Sequence, residues 1–338
     1  SLPSTTIVYS LSSTVYRQKT MNKPKSIHFV GIKGVGMTPL AIIAKEAGIA
    51  VTGSDVAEAF LTDTPLNDAG IVPLESFSPE HVGKVDLVIT TNAHQGFDNP
   101  EVIKAKDQHI PVLTKGEAVG AFMEGTILGT HYTGISVAGT HGKTTTAAML
   151  ATILTAARKD PGYLIGTSEI PSLKGMPGHF GRGQHFVAEA DEYVTEPNYD
   201  RSPQFMYQHP TIAIITNIDH DHPDIYPTIE DVQQAFLRFA NQIVNGVVII
   251  CGDAKTAKDF LKQYKGNVLT YGFSPLNDYV ISSYRVENGK IHFRVQGKEI
   301  DLGAFMLSVP GEHNALNSVA ACLAARETGI TLEACKQA

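Results

Sequence analysis

The run Ile135-Ser136-Val137-Ala138-Gly139-Thr140-His141-Gly142-Lys143-Thr144-Thr145-Thr146, followed by Ala147-Ala148-Met149-Leu150, leaves the chain few ways to fold. Residues 135–138 are apolar or β-branched, Lys143 onward carries Ala, Met and Leu with no Gly or Pro before Pro161, and the period changes at the glycines between. The segment predicts strand, glycine loop, helix. Such a loop ends at a helix N-terminus, where backbone N–H groups lack intrahelical partners and the helix dipole adds partial positive charge, so phosphate oxygens fit the gap. In G-x-x-x-x-G-K-[ST] loops the lysine reaches the β/γ-phosphates and the next hydroxyl takes a Mg²⁺ position, roles that fall to Lys143 and Thr144. Val137 stands where that pattern has its first glycine, and Gly139 supplies the bend.

A second glycine loop lies near the start of the chain. A strand at 26–30 runs into Gly31-Ile32-Lys33-Gly34-Val35-Gly36-Met37-Thr38-Pro39 and then a helical stretch to about Ala47. Gly34-x-Gly36, with Asp55 placed 21 positions after Gly34 and behind a strand at 50–52, resembles the dinucleotide fingerprint in which an acid takes a ribose hydroxyl. Pro39 occupies the third glycine position, which suits the first turn of a helix but not close helix-to-strand packing. The loop alone therefore leaves NAD, UDP or another nucleotide, and a merely structural turn all open.

Between and after these loops, strands and helices alternate. Helices are expected at 61–69 and 100–108 and strands at 71–73, 86–90 and 111–113, which is the pattern of a parallel α/β sheet. Residues 126–134 read as a linker, and 162–183, dense in Gly and Pro, as a long loop. Strands at 185–190, 211–216, 247–251 and 268–271 and helices at 229–243, 254–264 and 314–327 follow, with a hairpin at 279–295 turning on Asn288-Gly289. The expected fold is an N-terminal Rossmann-like parallel sheet domain over 21–125, then a central P-loop ATPase-type α/β domain over 135–338 with a β-hairpin-containing extension. The length of 338 residues fits two domains. With 43% hydrophobic and 18% charged residues and no apolar run near the ~20 that a bilayer demands, no membrane insertion is expected. The net charge of −7 argues against a nucleic-acid surface. Three cysteines with no C-x-x-C pair speak against disulfides or a cysteine zinc site and favour a reducing, cytoplasmic setting. Residues 1–20, rich in Ser and Thr, read as a disordered leader or remnant, with Met21 a natural start.

Ligands of open α/β sheets sit at the carboxyl ends of strands, and three polar clusters lie at such positions. Glu189-Ala190-Asp191-Glu192 closes one strand; Glu189 and Asp191 share a side, and a carboxylate beside a P-loop holds Mg²⁺, unless the cluster is a solvated acidic turn. Thr216-Asn217-Ile218-Asp219-His220-Asp221-His222-Pro223-Asp224 packs two histidines and three aspartates into six positions. On donor chemistry alone it suits zinc or manganese, although an H-x-H-x-D-H hydrolase signature breaks where Ile225 follows Asp224. In Gly311-Glu312-His313-Asn314-Ala315-Leu316-Asn317, the two asparagines share a helix face and suit a purine edge, with capping and packing as the plain alternative.

Taken in this order, these motifs resemble the Mur ligase family, the ATP-dependent amide-bond-forming enzymes of peptidoglycan synthesis. The match covers about Met21 to the C-terminus and rests on Gly31 through Met37, Gly53-Ser54-Asp55, Gly139 through Thr145, Glu189 through Glu192, Thr216-Asn217-Ile218 with Asp221-His222 and Asp224, and Gly311 with His313-Asn314 and Asn317. The likeness is greatest to members that add L-alanine to UDP-N-acetylmuramate, and the absence of lysine from the helix at 229–243 agrees, since later-acting members carry a carbamylated lysine there. Tyr193 and Arg201-Ser202-Pro203-Gln204-Phe205 look instead like the ligase that recycles murein tripeptide. The resemblance implies ATP and Mg²⁺ as cofactors and an acyl-phosphate route. It implies that Lys143 neutralises the β/γ-phosphates within a loop of Gly139, Thr140, His141, Gly142, Thr144 and Thr145, that Thr144 and Glu189 hold one metal, and that His222 places a second. Asn217, His313, Asn314 and Asn317 would lie by the nucleotide, and Gly31, Gly34, Gly36, Met37, Thr38, Ser54 and Asp55 by the UDP of the substrate. It also implies a third, C-terminal domain; the chain stops at Ala338, where that domain would begin, so a two-domain piece with little or no turnover is expected. A nicotinamide-dependent dehydrogenase, supported by Gly34, Gly36 and Asp55, and a non-catalytic nucleotide-binding module are the rivals from other classes.

Overall fold

A computed structural model describes residues 23–298 and 300–338, so the expected leader lies outside the described residues. The first sheet is built from β1 (Ser26–Val30), α1 (Thr38–Glu46), β2 (Ala50–Asp55), α2 (Asp63–Asp68), β3 (Leu74–Glu75), β4 (Leu87–Thr90), α3 (Pro100–Asp107), β5 (Val112–Thr114) and α4 (Lys115–Met123). Its strands run parallel in the order β3-β2-β1-β4-β5. Val30 pairs with Ser54 on one side and Thr90 on the other, so Gly31, Asp55 and Thr91 leave the sheet at one edge. The strand order reverses between β1 and β4, and the crevice outside those ends is where such sheets bind ligands.

Two local expectations shift. The strand expected at 71–73 forms instead at Leu74–Glu75, because Ile71 is buried in the core and its N–H closes α2 on the Leu66 carbonyl at 2.8 Å. Its apolar character reports burial, not pairing. Helix α4 was not anticipated because Gly116 and Gly120 mask it, yet its start is a capping box: Thr114 Oγ1 accepts from Glu117 N at 3.3 Å and the Glu117 carboxylate accepts from Thr114 N at 2.8 Å.

The second sheet follows with β6 (Thr133–Ala138), α5 (Lys143–Ala156), β7 (Gly162–Leu164), β8 (Gly178–His179), β9 (His185–Ala190), β10 (Val194–Glu196), β11 (Asp200–Pro203), β12 (Ile212–Ile215), α6 (Ile229–Ala240), β13 (Val247–Cys251), α7 (Lys255–Gln263), β14 (Val268–Gly272), β15 (Tyr279–Glu287), β16 (Lys290–Gly297), β17 (Asp301–Leu307), α8 (Glu312–Glu327) and α9 (Leu332–Gln337). Ten of these strands form a mixed sheet in the order β17-β16-β15-β14-β13-β12-β6-β9-β7-β8, and β10 pairs with β11 apart from it. Asn288 and Gly289 turn the expected hairpin with both φ values positive (50° and 74°), and β17 adds a third antiparallel strand. The stretch expected as one long loop at 162–183 carries β7 and β8. Its glycines serve close approach: a Cβ on Gly178 would stand 2.6 Å from the Pro39 carbonyl oxygen of α1.

One hydrophobic cluster joins the two sheets. Leu164, Phe186 and Ala188 of the second pack with Phe29, Ile32, Met37 and Leu40 of the first, so the two glycine loops are fixed relative to one another. Among the described residues no helix is long and apolar enough to cross a membrane.

Candidate functional site

Register explains the site. Ala138 pairs with both Ala190 and Ile215, so Gly139, Asp191 and Thr216 leave the sheet side by side at its carboxyl edge. Helix α5 opens at Lys143 with Gly142 in the left-handed region at its N-cap (φ 82°). The loop between is held from the next strand: Asn217 Oδ1 accepts from His141 N and Asn217 Nδ2 donates to His141 O, both at 2.9 Å, while Thr216 Oγ1 lies 2.5 Å from His141 O. From the far side the nearly buried Asn317 of α8 closes on Gly142, where a Cβ would stand 2.7 Å from Asn317 Oδ1. Asn314 turns away, donating to the Pro310 carbonyl at 2.6 Å, and His313 folds back over Gly311.

The charges interlock. Lys143 Nζ donates to the Gly139 and Thr140 carbonyls of its own loop at 2.7 and 3.3 Å and to the Glu192 carboxylate beyond β9 at 2.8 Å. Thr144 Oγ1 donates to Glu189 at 3.0 Å, and Gly166 N donates to the same carboxylate at 2.6 Å. Burial pushes Glu189 up against those hydrogen bonds and the Lys143 charge. Burial likewise pushes Glu192 up despite Lys143. Asp191 goes the other way: burial would raise it, but Lys115 at 3.1 Å and the Tyr193 amide hold it below the usual carboxylate range. His222, in the left-handed region (φ 55°), sets Nε2 3.9 Å from Glu192 and packs edge-on to Tyr193 with ring centroids 4.9 Å apart. His220 goes elsewhere, its Nε2 lying 2.8 Å from the Tyr226 carbonyl. The two histidines therefore do not converge as a zinc hydrolase would require, and among the described residues no group of three or more His, Cys, Asp or Glu is placed to hold a metal. Mg²⁺ asks for less, one or two hard oxygen donors besides phosphate, and the Thr144 hydroxyl beside the Glu189 carboxylate fits that demand.

The N-terminal loop is organised around Asp55. Its carboxylate is almost fully buried, accepts from Lys33 N at 2.7 Å and Val56 N at 2.8 Å, and lies 3.5 Å from His94 Nε2. Thr38 Oγ1 donates to the Ile32 carbonyl at 2.9 Å, Met37 is core, and Ser54 hydrogen-bonds Glu101. These three side chains shape the loop from beneath, while Val35 stands exposed at its tip. A cavity of about 180 Å³ lies where the two glycine loops face each other, lined among others by Gly36 and Lys115 on one side and Lys143, Gly166, Glu189 and Asp191 on the other. A wider concavity of about 800 Å³ opens beyond Asp55, between Val56, Glu75, Phe77, His94 and Asn99.

Thus Lys143, Thr144, Glu189, Asn217 and Asn317 come together around one loop, and His222 joins through Glu192. Lys115, Glu192 and Thr216 were not assigned roles from the sequence. The capping box at Thr114 is the signal that would have placed Lys115 at a helix start.

Residues 137–325 match the Mur ligase middle domain, and residues 26–126 match the Mur ligase family, catalytic domain. A UDP-N-acetylmuramate–L-alanine ligase of Carboxydothermus hydrogenoformans is 38% identical over 324 residues, covering 95% of this chain and 66% of that protein. One from a Psychrobacter species is 34% identical over 94% of this chain and 63% of its own length. The chain thus spans just under two thirds of the curated relatives it matches. Among solved structures, the UDP-N-acetylmuramate:L-alanyl-γ-D-glutamyl-meso-diaminopimelate ligase of Neisseria meningitidis superposes with a TM-score of 0.81 at 27% identity, covering 93% of this chain and 96% of that one. The UDP-N-acetylmuramate–alanine ligase of Thermotoga maritima superposes with a TM-score of 0.77 at 27% identity, covering 92% and 67%.

Proposed function

Since this chain belongs to the Mur ligase family, we propose that it serves an ATP-dependent ligase joining the carboxylate of UDP-N-acetylmuramate to L-alanine in peptidoglycan precursor synthesis. The observation that carries the reading is the cavity onto which both glycine loops open, because a terminal phosphate held by one loop and a sugar carboxylate held from the other meet there.

In this reading ATP lies on residues 139–145. Lys143 leaves Glu192 to neutralise the β/γ-phosphates, and Asn217 and Thr216 keep the loop open. Thr144 and Glu189 would hold Mg²⁺, whose charge would neutralise the transferring phosphoryl group. A carboxylate oxygen of the sugar attacks the γ-phosphorus and the bond to ADP breaks. The amine then attacks the acyl carbon, phosphate leaves with the C–O electron pair, and the amine gives up its proton. His222 would be the residue that holds a second cation, and His313, Asn314 and Asn317 flank the adenosine. The UDP diphosphate lies on the loop at 31–38, with the uridine in the concavity beside His94.

A second reading, the recycling ligase for murein peptide, is favoured by the segment 193–205, whose Tyr193 hydroxyl donates to Asp224 at 3.1 Å, and by the Neisseria likeness. A dehydrogenase leaves the loop at 139–145 without a role. Calorimetry with Mg-ADP tests the assignment of the two loops: Lys143→Ala abolishes ADP binding while UDP-N-acetylmuramate still binds. Retained ADP affinity in Lys143→Ala refutes it.

A further inference from the structure

The cavity between the loops holds a second ammonium group with no task so far. Lys115 is the first residue of α4, its backbone fixed by the Thr114–Glu117 capping box. Its Nζ lies 3.1 Å from Asp191, and a Cβ on Gly36 would stand 3.3 Å from the same nitrogen. One side chain therefore reaches from the glycine loop of the first sheet to the acidic strand end of the second.

Asp191 stands two residues beyond Glu189, within the field of both lysines, Lys115 and Lys143. A substrate carboxylate that must meet a phosphate held by Lys143 and Thr144 enters this same space. Without Lys115 it would face the repulsion of Glu189 and Asp191 with Lys143, already committed to the phosphates in this reading, as the one other ammonium lining the cavity among the described residues. The Lys115–Asp191 pair is partly open to solvent, at 25% and 36% of side-chain area, so trading one carboxylate for another there costs little more than a near-surface ion pair.

We propose that Lys115 is the receptor for the sugar's carboxylate, and that Asp191 stands in for that carboxylate until substrate displaces it. This rests on the ligase reading above. Lys115 then selects an acidic sugar nucleotide over a neutral one and points its carboxylate toward the terminal phosphate.

The test titrates the chain with UDP-N-acetylmuramate and with UDP-N-acetylglucosamine, which shares the nucleotide and lacks the carboxylate. Wild type prefers the acidic sugar. Lys115→Met loses roughly ten- to hundredfold in affinity for it, the range expected for a hydrogen bond to a charged group, while UDP-N-acetylglucosamine and Mg-ADP bind as before. Lys115→Arg restores part of the preference, and Asp191→Asn, which removes the competing carboxylate, tightens the acidic sugar several-fold. Lys115→Met that keeps the preference overturns the proposal, as does an equal loss for both sugars, which would assign Lys115 to the diphosphate. Should Lys115→Met fail to fold, Asp191→Asn decides: unchanged or weaker binding marks a structural ion pair. Wild type that binds neither sugar defeats the ligase reading itself, and the proposal with it.

Discussion

Asn217 offers a sharp test of how the phosphate loop is held open. Its amide brackets the His141 peptide, taking the N–H and giving to the carbonyl, each at 2.9 Å. Asn217→Ala removes both bonds. A net hydrogen bond contributes about 0.5–1.5 kcal/mol, and because this half-buried site lets water reach part of the freed peptide, the pair is worth about 1–2 kcal/mol, or roughly 5- to 30-fold in ADP affinity. Asn217→Asp fills the same volume and keeps the acceptor for His141 N, yet sets a carboxylate oxygen against the His141 carbonyl and adds negative charge beside the phosphate site. It should therefore bind ADP no better than Asn217→Ala. Calorimetry with Mg-ADP reads both variants, and UDP-N-acetylmuramate titrated into the same samples should give wild-type values. Asn217→Asp with wild-type ADP affinity would show that Asn217 fills space rather than orders the loop.

Other consequences follow from the packing. Gly142→Ala meets two obstacles, a left-handed φ of 82° and Asn317 Oδ1 at 2.7 Å from the new Cβ. ADP binding should be lost, with partial recovery when Asn317→Ala is added, since only the steric part is shared. Glu101 is fully buried against Ser54, His28 and His81 and accepts from Ser78 N at 3.1 Å. Burial works to raise its carboxyl, but the hydrogen bonds from His28 and Ser54 and the His28 charge outweigh it and hold it below the ordinary 4.5. A carboxyl depressed in the folded state stabilises above its unfolded value and loses that contribution as pH falls through the folded one. Melting curves between about pH 3 and 7 should therefore drop on the acid side of 4.5 in wild type and drop less steeply there in Glu101→Gln; parallel curves would contradict this.

Much of the molecule was legible because its glycine loops sit at changes of period. The strands at Ser26–Val30, His185–Ala190 and Val247–Cys251 were placed to the residue, since each is a short apolar run closed by turn chemistry. What escaped was set by tertiary contact. Residues 162–183 read as loop because their glycines look like turn residues, whereas Gly178 is small to let α1 approach. Helix α4 and the β10–β11 hairpin gain their order from packing across the two sheets, which periodicity within one segment cannot report. In the site, Thr144 Oγ1 meets the Glu189 carboxylate, and Lys143 acts on that carboxylate through its charge while hydrogen-bonding Glu192. Lys115 had no motif to announce it, and Glu192, though inside the acidic cluster at the strand end, carried no role of its own, because what matters is which carboxylate each lysine meets across the cleft.

Whether the N-terminal loop takes a UDP-sugar or a dinucleotide is read by calorimetric titration of this chain with UDP-N-acetylmuramate beside NADH and UDP-N-acetylmuramoyl-tripeptide. Saturable binding of UDP-N-acetylmuramate with no response to NADH is expected, and a stronger response to the tripeptide would shift the assignment to the recycling ligase. Binding of NADH with silence from both UDP ligands would contradict the UDP-sugar reading.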